Sequence, residues 1–182
     1  GDRWAYKVLR TTGFSYLNNP TKPVYKSQTN AGPCFFCKKE DFLKAQLEEE
    51  LWLDEAPYAL PEDQVMYYKM HLCGLKVLTS FDSGIVHLDA GSTTANSEDR
   101  LANLIYSEYR NKLIFWYKFI YRYEKSAVKK MWAVACLLYS YGVQMIKYAL
   151  HYLFGKKNIA KAFFSGICDA TKYIQSKEYK RL

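Results

Sequence analysis

Hydrophobic and polar positions along the chain change their spacing several times, and each change marks an element. Residues 1–30 are polar and turn-rich, with Pro20, Pro23 and the pair Asn18-Asn19. Within them, residues 3–9 fit a short helix or strand, and Pro23-Val24-Tyr25 fits a strand. Residues 31–37 form a short apolar run, which predicts a buried strand. Residues 40–50 predict a helix, because Phe42, Leu43, Leu47 and Leu51 recur at helical spacing between Lys and Glu. Residues 54–61 carry Pro57 and Pro61 and predict a loop. Residues 62–73 predict a second helix, with Val65, Met66, Lys69, Leu72 and Cys73 on a 3.6-residue period. Pro61 is a start signal for it, Glu62-Asp63 suit its positive end, and Gly74 suits its C-cap. Strands are predicted at 75–79 and 84–88, around a turn at Phe81-Asp82-Ser83. Residues 90–99 are a small-residue polar loop. The pattern then becomes helical: 101–124, 126–154 with a stop at Gly155, and 159–175. There are no internal repeats.

Charge divides the chain in the same place. Residues 1–109 hold 11 Lys and Arg against 15 Asp and Glu; residues 110–182 hold 15 against 3. The first half is therefore acidic and the second strongly basic. The second half also holds most of the 17 Tyr. A basic, aromatic segment calls for an anionic partner, either nucleic acid or an anionic membrane surface. The 182 residues suffice for a sizeable core. Gly1 in place of an initiator Met leads us to expect a chain cut from something longer.

The five cysteines, Cys34, Cys37, Cys73, Cys136 and Cys168, are odd in number and irregular in spacing. No signal peptide opens the sequence, so free thiols in a reducing, cytosolic setting are expected. Cys34 and Cys37 form a C-x-x-C, which raises zinc and redox chemistry. Zinc needs about four ligands at set spacings, and Cys73 with His71 is a poor second pair. On a strand, Cys34 and Phe36 point one way and Phe35 and Cys37 the other, so the two thiols neither pair nor share a metal. They read as small hydrophobes.

Residues 132–154 are long enough to span a bilayer. They also contain Gln144, Lys147, His151 and four Tyr, and one central Lys alone costs about 3 kcal/mol on insertion. Lys125, Lys129 and Lys130 precede the segment, and Lys156, Lys157 and Lys161 follow it. Lys with Trp and Tyr is the composition of helices lying in the headgroup layer. Equally, Tyr and Leu at this spacing pack helices together while Lys is solvated.

The candidate chemistry lies between Asn30 and Thr94. Three features stand in order: the turn Gly32-Pro33 into Cys34-Phe35-Phe36, the pair Glu62-Asp63 opening a helix, and His87 at a strand end before Gly91-Ser92-Thr93. Singly, an acidic pair usually caps a helix, a His after apolar residues usually sits in a core, and Gly-Ser-Thr is usually a loop. In this order, and with Arg110-Asn111 on the basic helix that follows, residues 23–125 resemble the C-terminal half of inverting, GT-A-fold glycosyltransferases of family 2. The rhamnosyl- and galactofuranosyl-transferase-like members are the nearest in pattern.

The resemblance implies an α/β fold, α+β within this chain. Residues 1–99 would be the acceptor side of a partial GT-A core with a few mixed strands and helices. Residues 100–182 would be a long amphipathic, basic aromatic tail. Asp63 would be the base that deprotonates the acceptor hydroxyl, ionised at its helix N-terminus, with Glu62 orienting it or touching the acceptor sugar. Gly32, Pro33 and Trp52 would line the acceptor cleft, and Gly91, Ser92 and Thr93 would approach phosphate. His87 would contribute a ligand to a divalent cation, Mg2+ or Mn2+, that acts as a Lewis acid on the diphosphate. The implied partners are a nucleotide-sugar donor and a cell-surface glycan or lipid-linked acceptor, at the cytoplasmic face of the membrane.

The chain also departs from that pattern. It has no Asp-x-Asp, and no nucleotide-binding βαβ unit precedes Asn30. Leu88-Asp89-Ala90 stands where glycines are more usual. A donor-binding half is therefore expected outside this sequence, and this chain alone is expected to be inactive. The rival reading is a basic aromatic helical module that binds nucleic acid or a membrane or partner surface without catalysis. No glycine-patterned RNA motif supports the nucleic-acid branch.

Overall fold

The polar N-terminal stretch resolves into strands. In the computed structural model, which describes residues 4–18, 21–30, 34–82, 84 and 98–176, β1 (Tyr6–Val8) and β2 (Ser15–Leu17) form an antiparallel hairpin, with Tyr6 opposite Leu17. A second antiparallel pair joins β3 (Val24–Ser27) to β4 (Val77–Ser80), with Val24 opposite Ser80. Trp4 bridges Lys26 in parallel, and the Ala5 N–H donates to the Lys26 carbonyl at 2.8 Å. Among the described residues no strand covers the other edge of β4. The fold is mixed α+β, with two two-stranded sheets and five α-helices in the described residues. All strand pairs named in these sheets are antiparallel, so the nucleotide-binding parallel sheet expected of a complete GT-A core does not occur among them.

The chain divides into two units. The first comprises residues 1–9, 14–51 and 61–92; the second comprises 10–13, 52–60 and 93–182. The last break along the chain falls between residues 92 and 93, and two short segments of the first half, 10–13 and 52–60, belong to the second unit.

In the first unit, α1 (Lys39–Lys44) and α2 (Glu62–Leu72) enclose a small core of Ala45, Met66, Tyr67 and Met70, against which Phe42, Leu47, Leu75 and Val77 pack. The helix expected over 40–50 stops early. Gln46 takes a left-handed backbone at φ +48°, and its carbonyl accepts from the Lys69 ammonium at 2.7 Å. Lys69 also pairs with the buried Glu50 carboxylate at 2.6 Å. Capture of both groups by one lysine breaks the helix into α1 and a 3-10 turn, Leu47–Glu49. The buried strand expected over 31–37 is absent where it is described. Residues 34–37 have no ladder and are exposed, with Phe36 90% open to solvent. Phe35 instead stacks on Phe42 at 6.2 Å and meets Tyr67 edge-on at 6.0 Å, so side-chain packing replaces strand pairing. The strand expected at 84–88 lies outside the described residues except for Gly84. At the end of α2, the Leu75 N–H reaches back to the Met70 carbonyl across Gly74, as a C-terminal Gly cap does.

The second unit is helical. α3 (Glu98–Phe115) runs into a π-helical turn at Trp116–Tyr121, and α4 (Ala127–Leu153) and α5 (Lys157–Gln175) follow. Ser126 caps α4 by accepting from the Lys129 N–H. Gly155, at φ +87°, ends it, as the sequence predicts. The helices meet through rings. Tyr109 of α3 lies edge-on to Phe163 at 4.6 Å, and Tyr148 of α4 stacks on Phe163 at 4.3 Å. Gly166 permits the closest approach, since a Cβ there would stand 2.7 Å from the Tyr106 carbonyl oxygen.

Candidate functional site

A concavity of the first unit has a volume of about 800 Å3. Its walls are the loop 34–38, the inner turns of α2 at Tyr67 and Met70, and β4. The loop 34–38 follows Gly32 and Pro33 in the sequence, and those two residues are outside the described residues. Aromatic rings, amide and thiol groups, Lys38, Lys76 and Asp41 share the lining. This mixture suits a small polar ligand with apolar faces better than a purely apolar one.

Tyr67 is the distinctive group in that wall. It is 4% exposed, and its hydroxyl is buried without a hydrogen-bond partner. Leaving a buried hydroxyl unpaired costs on the order of 1–3 kcal/mol. Burial pushes Tyr67 up to about 12, and the Asp63 carboxylate, then the Cys37 and Cys34 thiols, push the same way. The strand expected to hold the two thiols on opposite faces is absent over residues 34–37, and both cysteines line the cavity. Both are free and exposed.

Asp63 stands one helical turn before Tyr67, on the same face of α2. It opens the helix beside Glu62, where both carboxylates face the positive end of the helix dipole. Glu62 is pushed up from its ordinary value, by desolvation first and also by the neighbouring Asp63 charge, although its side chain reaches solvent. Of the two, Asp63 is the more enclosed.

Trp52 does not line this cavity. It is fully buried, at 0% exposure, in the second unit. Its carbonyl accepts from the Arg110 guanidinium at 2.7 Å. Trp52, for which the resemblance implies a substrate contact, thus has its indole in the core of the second unit. His87, Gly91, Ser92 and Thr93, like Gly32 and Pro33, lie outside the described residues. Among the described residues no group of three or more His, Cys, Asp or Glu side chains could hold a metal ion. The described carboxylates and thiols thus do not compose a site for the implied divalent cation.

Arg110 and Asn111 acquire a concrete role. With Ser107 they form a buried polar face of α3 at the i, i+3, i+4 positions. Ser107 Oγ accepts from the Tyr58 N–H at 3.1 Å, and Asn111 Nδ2 donates to the Leu60 carbonyl at 2.7 Å. Arg110 adds an ion pair with Glu55. Three side chains thus lace down residues 52–60, the loop that runs up to Pro61, Glu62 and Asp63. Sequence reasoning noted Arg110-Asn111 as a motif without this function. Three polar residues on the inward face of an amphipathic helix were the available signal. Tyr67 had no such signal, because a Tyr at core spacing reads as packing.

No family model, curated protein or solved structure matches this chain.

Proposed function

We propose that this chain forms the acceptor side of an inverting glycosyltransferase of the family 2 type, with Asp63 as the base. The observation that carries the reading is the cavity of the first unit, lined by the loop 34–38 and by Tyr67 of α2, with Asp63 one helical turn before Tyr67 on the same helix. The Tyr67 hydroxyl is buried in the unliganded chain, so acceptor binding there satisfies it once a side-chain shift in the cavity wall uncovers it. As the acceptor oxygen attacks the anomeric carbon, its proton passes to Asp63. The new carbon–oxygen bond forms on the face opposite the departing nucleoside diphosphate, whose bond to that carbon breaks, and the configuration inverts. Glu62 sits beside the base and helps orient it or the acceptor sugar.

In this reading the nucleotide-sugar donor is held by a nucleotide-binding half with its own Asp-x-Asp, supplied by a separate stretch of polypeptide. The divalent cation implied by the family belongs with that donor, and the step at Asp63 does not pass through it. Arg110 and Asn111 hold the loop 52–60 within the second unit.

In the enzyme containing this chain, Asp63→Asn should lower transfer by roughly 100-fold or more while donor binding persists. Undiminished turnover would refute the assignment. Loss of donor binding together with turnover would move Asp63 from the acceptor to the donor side.

A further inference from the structure

We infer that α4 is an in-plane anchor whose outward face seats on an anionic lipid bilayer surface. This inference does not rest on the transferase reading. Its basis is a pair of independent features of the second unit: an unbroken exposed apolar stripe, and the charge around it.

The stripe runs from Val128 through Trp132, Leu138, Tyr139 and Ile146 to Leu153, at spacings that keep it on one side of α4. All six side chains are exposed, Trp132 at 64% and Tyr139 at 77%. Over 27 residues the helix is about 40 Å long. Contiguous exposed apolar surface on this scale marks an interaction face. No charged residue interrupts the stripe. Lys129 and Lys147 stand together on one margin, and Lys125, Lys156, Lys157 and Lys161 flank its two ends.

Charge selects the occupant. From residue 125 to residue 168 there are seven Lys and no Asp or Glu. A second copy of this face would bring the same unneutralised cations against it. A nucleic acid would meet a stripe with no charge to offer its phosphates. An anionic bilayer matches both features, taking the apolar face into the acyl boundary and the lysines among the headgroups. A cytoplasmic leaflet has this chemistry.

By length and composition α4 also qualifies as a membrane span. Its inner face argues against crossing. Gln144 accepts from the Tyr109 hydroxyl at 3.0 Å, Tyr141 donates to the Tyr109 carbonyl, and Tyr148 stacks on Phe163. These contacts hold α4 lengthwise against α3 and α5. A crossing helix would abandon them and carry Lys147 into hydrocarbon.

The test is partitioning of the purified chain onto phosphatidylcholine vesicles with and without phosphatidylglycerol, followed by sedimentation and by tryptophan emission. Binding should require phosphatidylglycerol and weaken with added salt. It should shift the emission to the blue, and Trp132→Phe should remove most of the shift, because Trp52 and Trp116 are already buried and Trp4 is partly so. Ile146→Glu should abolish binding; its site is exposed, so helix content by circular dichroism should hold. If that variant misfolds, Lys129→Gln and Lys147→Gln serve instead, each lowering partitioning roughly fivefold.

No binding to phosphatidylglycerol vesicles at low salt overturns the proposal. So does binding that Ile146→Glu leaves intact. A vesicle-independent dimer dissociated by Ile146→Glu assigns the face to a second copy, and salt-dependent RNA binding without vesicle binding assigns it to nucleic acid. Resistance of vesicle-bound protein to alkaline extraction means that α4 spans.

Discussion

The two units differ in the features that stand out at their surfaces and under them. In the first, Tyr67 lines an open cavity and holds a buried hydroxyl without a partner, one helical turn after Asp63. In the second, every named polar group under α3 is spoken for: Ser107, Arg110 and Asn111 all bond the loop 52–60. The outer surface of α4, however, leaves a long apolar stripe in water. An unpaired polar group and an uncovered apolar face each cost free energy in the isolated chain. Each is relieved by a different kind of partner: a small polar ligand for the cavity, an extended apolar surface for the stripe. The sites are therefore read from where the fold is locally worse than it needs to be.

The strongest way to sharpen this contrast is to break the interactions that hold each unit in shape. Lys69→Ala should cost the first unit about 3–5 kcal/mol, because it strips the cation from the nearly buried Glu50 carboxylate. The double change Lys69→Met with Glu50→Leu should recover most of that loss. Chemical denaturation of both variants checks the pair. Arg110→Ala should cost the second unit about 3 kcal/mol, as the Trp52 carbonyl loses its buried donor. Transfer should fall further than stability explains if the loop 52–60 positions Asp63. Gly166→Ala should cost roughly 1–3 kcal/mol by forcing α5 away from the Tyr106 carbonyl, with transfer little changed. Thermal unfolding reads this directly.

A smaller effect is expected from pH. The Tyr67 hydroxyl holds its proton up to about 12 in the folded chain, against about 10 unfolded. Its contribution is therefore fully present below pH 10 and is lost as pH rises through 12, because the unfolded chain ionises first. Tyr67→Phe should remove that share of the alkaline slope. An unchanged slope would mean that the hydroxyl is no more buried than in the unfolded chain.

Much of the fold was legible from local signals. Pro61 with Glu62-Asp63 marks the start of α2, Gly74 its end, and Ser126 and Gly155 bracket α4. These are backbone effects that depend on neighbouring residues alone. What was not legible depends on distant partners. The break at Gln46 follows from Lys69, and the missing strand after Pro33 follows from Phe35 choosing Phe42 and Tyr67. The burial of Trp52 depends on Arg110, 58 positions away. At the candidate site, the position of Asp63 could be read, whereas the orphan hydroxyl of Tyr67 could not, because nothing in a core-spaced Tyr signals that its oxygen lacks a partner.

The central claim is that the cavity of the first unit is a binding site whose ligand completes Tyr67. Paired stability and transfer measurements on Tyr67→Phe, in the transferase proposed above, test it most directly. Removing an unpaired buried hydroxyl should stabilise the fold by about 1 kcal/mol, a rise of roughly 2–4 °C in Tm, while the acceptor KM rises. A lower Tm with an unchanged acceptor KM would mean that the hydroxyl serves the fold, and would contradict the account.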